Sequence, residues 1–162
     1  MLAKEDRLKN KLENSPFAAE TGYTGVHPAL KTYFGYCFSK AVLKYKSLLT
    51  SGLEPFDIVS PQLGIMKLLS QSGPASQMAL GQDMAIDKAS MVKFIDGLEK
   101  KKWVRRVPDK KDRRIKSVEM TAKGNKMLQE ISLVHARVAE EFLAPLTLEE
   151  RKVLKGLLER LT

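Results

Sequence analysis

DKASMVKFIDGLEKKKWVRRVPDKKDRRIKSVEM, Asp87 to Met120, divides into a helix, a strand, a basic loop and a second strand. It holds twelve Lys or Arg against six Asp or Glu, and so carries six of the chain's nine net positive charges. Cationic charge gathered on one helix and the hairpin behind it is the electrostatic footprint of a DNA-binding surface. In the helical half, Met91, Phe94, Ile95 and Leu98 recur at helical spacing and form one apolar face. Asp87 stands at the N-cap, where its carboxylate can accept a bond from a first-turn amide. The opposite face carries Lys88, Ser90, Val92 and Lys93, with Ala89 among them. In a major groove, the short side chains there reach base edges and the lysines reach phosphates. Taken alone, the same face also reads as solvated surface lysines, and the helix by itself does not separate the two.

The hairpin half shifts the balance. Val104 and Val107 bracket Arg105-Arg106, and Ile115, Val118 and Met120 follow the loop as a second strand-like run. Pro108 and Asp109 open the turn between them. The tip, from Asp109 through Lys110, Lys111, Asp112 and Arg113 to Arg114, is cationic yet contains two aspartates. A simple charge run needs no aspartate; one set between arginines can hold a guanidinium in a single orientation. An arginine at a hairpin tip suits a narrow minor groove.

Three stretches now carry a resemblance: SPQLGIMKLLSQSGPASQ (60–77), LGQDMAIDKASMVKFIDGLEKKKWVRRVPDKKDRR (80–114) and MTAKGNKML (120–128). Together they resemble the MarR family of winged helix-turn-helix regulators. The D-x-x-DRR wing followed by a strand and T-x-x-G is the most specific part. The resemblance implies a mainly α fold with a small β-hairpin wing. It places the winged helix-turn-helix in 60–120, dimerisation helices in 27–52 and 121–162, and an N-terminal arm in 1–26. It implies DNA contacts from Ser76, Gln77, Lys88, Ala89, Ser90, Val92, Lys93, Arg105, Lys110, Lys111, Asp112, Arg113 and Arg114. In that reading Arg114 enters the minor groove, Asp112 orients it and Arg113 meets phosphate. Three positions depart from the family pattern. Gly81 replaces a usual Ala, while Ala85 and Lys102 replace usual glycines and must tolerate or avoid a positive φ.

Composition is compatible. One domain of 162 residues is large enough for a proper core. A hydrophobic fraction of 43% with 29% charged residues is that of a soluble protein. A pI near 9.6 favours nucleic acid or an anionic surface as partner. No apolar run is long enough to span a bilayer, and MLAKEDRLKNKLENS has no apolar signal-peptide segment. A single cysteine excludes an intramolecular disulfide and suits a reducing cytoplasm.

Taken in order, residues 1–26 read as an arm, either disordered or ordered by a partner. His27-Pro28 is expected to start a long helix that Gly52 ends. Its apolar stripe (Leu30, Phe34, Cys37, Ala41, Tyr45, Leu48) is widened by Tyr33, Phe38 and Val42, too wide for one covered side. After an irregular connection, Ser60 and Pro61 supply a cap and first position for a second helix, which Gly73-Pro74 stops. Ser76 caps a short third helix ahead of the one described above. Thr121 caps a long fifth helix with Met127, Ile131, Val134, Val138 and Phe142 on one face, and Pro145 breaks it. Thr147-Leu-Glu-Glu150 is a capping box for a sixth helix lined by Val153, Leu154, Leu157, Leu158 and Leu161. The family resemblance assigns that leucine-rich end to a homodimer; an intrachain core would use only one face.

No Gly-rich phosphate loop, H-E-x-x-H or C-x-x-C is present, so no enzyme, cofactor or metal site is expected. His27 and His135 stand far apart. Cys37, between Tyr36 and Phe38, is expected to be a buried, inert thiol. Two function classes remain. One is a cytoplasmic, sequence-specific regulator, a ligand-responsive repressor acting as a homodimer on a double-stranded operator. The other is a winged-helix module that binds DNA without sequence choice, or binds a protein. For the first, the family implies a pocket for a small aromatic or anionic effector, with Tyr33, Tyr36, Phe38, Tyr45, Leu63 and Met66 as its candidate walls. The same side chains also read as core and interface filler.

Overall fold

A computed structural model describes residues 28–108 and 116–161. The expected arm, His27, and the wing-tip residues Lys110, Lys111, Asp112, Arg113 and Arg114 lie outside them. The chain falls into two compact units, 1–43 and 44–162.

The described part of the first unit opens on a 3-10 turn, Pro28–Thr32, and helix α1 (Phe34–Leu53) begins only after it. Pro28 therefore starts a turn and not the long helix expected. Within that turn the Thr32 hydroxyl donates to the Ala29 carbonyl at 2.8 Å. Phe34 stacks on Phe38 with centroids 5.8 Å apart, and both are exposed, as are Leu30 and Tyr33. Cys37 is exposed too, its thiol donating to the Lys31 carbonyl at 3.2 Å. The expected burial of this thiol is thus corrected: within the single chain the part of the stripe from Leu30 to Ala41 faces solvent.

The second unit takes in the end of α1, which runs one residue past Gly52. That glycine is a point of close approach, since a Cβ there would meet Val138 at 3.0 Å and Val134 at 3.1 Å. A 3-10 turn (Glu54–Phe56) leads through Asp57, at φ 51°, to α2 (Ser60–Ser72). Val59 and not Ser60 is the N-cap residue of α2; its amide donates to the Gln62 side chain at 3.1 Å. Strand β1 (Ala75–Ser76), helix α3 (Gln77–Asp83) and helix α4 (Lys88–Lys100) follow. Strands β2 (Val104–Pro108) and β3 (Lys116–Met120), then helices α5 (Ala122–Leu143) and α6 (Leu148–Glu159), complete the unit.

Among the described residues the sheet is three-stranded and antiparallel, in the order β1-β3-β2. Val104 pairs with Met120 and Pro108 with Lys116 across the hairpin, while Ala75 and Ser76 pair with Val118 and Ser117. The two-residue β1 was not expected, because Ser76 reads from sequence only as a helix cap. Leu53, Ile65, Met66, Leu80, Met91, Ile95, Leu98, Val104, Val118 and Ile131 form the heart of one core. Burying each side chain of that size contributes about 1.5–3 kcal/mol.

Candidate nucleic-acid interface

The expected caps of α3, α4, α5 and α6 all form. Ser76 Oγ accepts from the Ala79 amide at 3.1 Å, and Asp87 Oδ1 from the Ser90 amide at 2.9 Å. Thr121 Oγ1 accepts from Gly124 at 3.0 Å, and Thr147 with Glu150 makes the reciprocal box. The bond from the Ser90 amide, backed by its hydroxyl, holds the Asp87 carboxyl below the usual carboxylate range. That negative charge sits favourably at the start of α4.

The turn between α3 and α4 is tight. The Ile86 amide donates to the Gly81 carbonyl at 2.9 Å, and a Cβ on Gly81 would lie 3.0 Å from the Ile86 oxygen. Ala85 adopts φ 50° and Lys102 φ 60°, so both family glycine positions keep left-handed geometry without glycine. With that turn fixed, α4 buries Met91, Ile95 and Leu98 and packs Phe94 against them. Lys88, Ala89 and Lys93 are exposed; Ser90 and Val92 are half-buried at the two edges of the outward face. Among the described residues, Lys88, Lys93 and Lys116 make no ion pair.

The rest of the basic cluster is differently used. Lys101 reaches Asp57 at 2.7 Å and lies 5.5 Å from the centre of the Trp103 ring. Arg105 is exposed on β2 but paired across the hairpin with Glu119 at 2.6 Å. A pair so exposed is weak and easily given up to a phosphate. Arg106 is drawn inward, onto Gln77, Asp96 and Glu99. Sequence reasoning passed over it, although the period of two along a strand puts it on the face of buried Val104 and opposite Arg105.

The T-x-x-G segment joins α5 to the end of α4. Thr121 Oγ1 donates to the Lys102 carbonyl at 2.7 Å, the Thr121 amide to Trp103 at 3.0 Å, and Lys123 Nζ to Lys101 at 3.2 Å. Gly124 is required there, because a Cβ would fall 2.0 Å from the Trp103 oxygen.

An open groove of about 890 Å³ runs along α3, the turn and β3, with Ser76, Gln77, Lys88 and Lys116 among its lining residues. The six expected effector-pocket residues are elsewhere. Tyr33 and Phe38 are exposed and Tyr36 half-buried, while Leu63 and Met66, at 3% and 0% exposure, are core. Half-buried Tyr45 shares a 3.1 Å hydrogen bond with His135 Nε2 and meets Phe142 edge to face. No group of three or more metal-ligating side chains occurs among the described residues.

Residues 58–116 match the MarR family model. The transcriptional regulator HosA of Escherichia coli O127:H6 is 30% identical over 105 residues, 65% of this chain and 78% of HosA. The chain belongs to the MarR family. This MarR-family chain is a transcriptional regulator with the family's winged-helix fold. It superposes with a TM-score of 0.70 on a mutant of Escherichia coli MarR complexed with operator DNA, at 22% identity over 91% of this chain and 99% of that one. It also superposes on Bordetella bronchiseptica BpsR, whose DNA binding is regulated by 6-hydroxynicotinic acid. There the TM-score is 0.72, at 20% identity over 85% and 96% of the two chains. Among the described residues no helix is long and apolar enough to cross a membrane.

Proposed function

We propose that this protein is a cytoplasmic, sequence-specific repressor that binds a double-stranded operator as a homodimer, has no enzymatic activity, and releases DNA on binding a small aromatic or anionic effector. The observation that carries the reading is the outward face of α4. A capped helix, locked by its buried face, presents Lys88, Ala89 and Lys93 with Ser90 and Val92 at its edges. Lysines supply sequence-independent attraction to phosphate, and the short side chains between them leave room for base edges. Ser76 and Gln77 contribute from the start of α3, and Arg105 from the hairpin. Beyond Pro108, Lys110, Lys111 and Arg113 serve phosphates while Asp112 steers Arg114 into the minor groove, as the wing motif implies.

The homodimer reading draws on α6, where Leu148, Val153, Leu157, Leu158 and Leu161 are exposed in the single chain. Apolar residues exposed in such density mark an association surface. The effector reading draws on the family and on the net charge of +9, which favours anions. Selection from random duplex DNA, followed by fluorescence anisotropy on the enriched sequence, tests the proposal. One enriched, roughly palindromic site is the expected result. An unenriched pool bound as tightly as any single sequence would instead mark a general DNA-binding module.

A further inference from the structure

Gln77 lines the groove along α3 and β3, and its side chain is held by Arg106. We propose that Arg106 is a positioning residue that makes Gln77 a donor-only contact to DNA: the arginine takes the amide oxygen and leaves the amide NH2 group for acceptors on the nucleic acid. The inference rests on the interface proposed above and names a determinant within it.

The geometry is specific. Arg106 Nε donates to Gln77 Oε1 at 2.8 Å and Nη2 to Asp96 Oδ1 at 2.6 Å; Nη1 donates to Glu99 Oε2, and the Arg106 amide to Glu99 Oε1 at 3.0 Å. A guanidinium has five N–H donors and no acceptor. Only the oxygen of the Gln77 amide can face it, since a flipped amide would set donor against donor. Carboxylates from α4 fix the guanidinium through charge-assisted bonds, so the orientation imposed on Gln77 is itself rigid. Burial works against the Arg106 charge, but Asp96 and Glu99 outweigh it and push its pKa upward. The guanidinium therefore stays charged in any working buffer. The neighbouring Arg105 shows the contrast: its side chain is 67% exposed against 19% for Arg106.

An unrestrained glutamine can donate or accept. Held by Arg106, Gln77 is matched to phosphate oxygens, to N7 and O6 of guanine, to N7 of adenine and to O4 of thymine, and mismatched to the exocyclic amines of cytosine and adenine. The arrangement also joins β2, α4 and α3 through one side chain, which sets α4 and the Gln77 contact together.

The test is operator affinity by anisotropy for wild type, Gln77→Glu, Gln77→Ala, and Arg106→Lys in both the wild-type and Gln77→Ala backgrounds. Gln77→Glu keeps an oxygen for Arg106 but replaces the donor by a carboxylate. It should melt at or above the wild-type temperature and bind operator at least about tenfold more weakly. The three donors of a lysine radiate from one nitrogen and cannot reproduce the planar spread by which Nε, Nη1 and Nη2 of Arg106 reach three separate acceptors. Arg106→Lys should therefore weaken binding in the wild-type background and add less than about twofold in the Gln77→Ala background. A structural arginine would cost the same in both. Gln77→Glu binding within twofold of wild type, or equal Arg106→Lys losses in the two backgrounds, overturns the proposal while leaving the DNA interface standing. Failure of wild type to bind any duplex overturns both.

Discussion

His135 shows how one partly buried side chain couples this fold to pH. Loss of solvent around the ring, assisted by the positive charge of Lys67, holds its pKa below the ordinary 6.5. Its Nε2 lies 3.1 Å from the Tyr45 hydroxyl, which can donate to a neutral ring only. Because the folded pKa is depressed, the unfolded chain binds more protons between the two values. Stability should be full above about pH 6.5, fall as pH drops below it, and level off under the folded pKa. Thermal melts from pH 7.5 to 5 should show this slope, and His135→Phe should flatten it. A second residue-scale effect comes from the backbone. Lys102 holds φ 60° without being glycine, at a cost of roughly 1–2 kcal/mol. Lys102→Gly should remove that strain, and after the added flexibility of the unfolded chain should gain about 0.5–1 kcal/mol in urea denaturation. A loss of stability would mean that the lysine side chain contributes more than its backbone costs.

At the scale of elements, α4 is a two-sided device. Its inner face is fixed by Met91, Ile95 and Leu98, and its ends by the Asp87 cap and the Thr121–Gly124 joint. The outer face can therefore vary without disturbing the fold. Ser90→Ala or Val92→Thr should change which operator bases are preferred, whereas Lys93→Ala should weaken all sequences alike and lower the salt slope by about one. Repeating the random-sequence selection with each variant checks this. Unchanged preference in both the Ser90 and Val92 variants would remove base reading from α4.

For the whole molecule, association and ligand control are the matters to test. Removing the chain after Pro145 deletes α6 and its exposed leucines. The truncated protein should sediment as a monomer, and a stable dimer would place the interface elsewhere. Half-sites one helical turn apart, about 34 Å, are read together only by a dimer of fixed spacing. An effector that favours another spacing must lose affinity when operator is present, and by the same factor by which it weakens DNA binding. Calorimetric titration of salicylate-like compounds, with and without operator, should show that reciprocal loss; equal affinities in the two titrations exclude an effector role.

Much of this was readable in the chain alone. The caps at Ser76, Asp87, Thr121 and Thr147, the apolar faces of α4 and α5, and the hairpin all follow from local rules: a side-chain oxygen beside free amides, a period of 3.6, a period of two. Cationic clustering and the wing motif led to the family for the same reason, since both are carried by contiguous sequence. Other features needed distant residues to meet. Strand β1 exists because Val118 and Ser117 offer Ala75 and Ser76 a partner, and Gly124 is explained only by the Trp103 carbonyl above it. The 3-10 turn at Pro28–Thr32 ahead of α1 is not registered by helical spacing, which both turn types share over so short a run. Leu63 and Met66 read alike from sequence as pocket wall or as core, because apolarity does not distinguish the two; the fold buries both. Arg105 and Arg106 are adjacent and chemically identical, yet one faces solvent and the other ties three elements together. Charge is a property of the sequence; which charges remain available to a partner was decided by the fold, which placed Glu99, Asp96 and Gln77 around one of them.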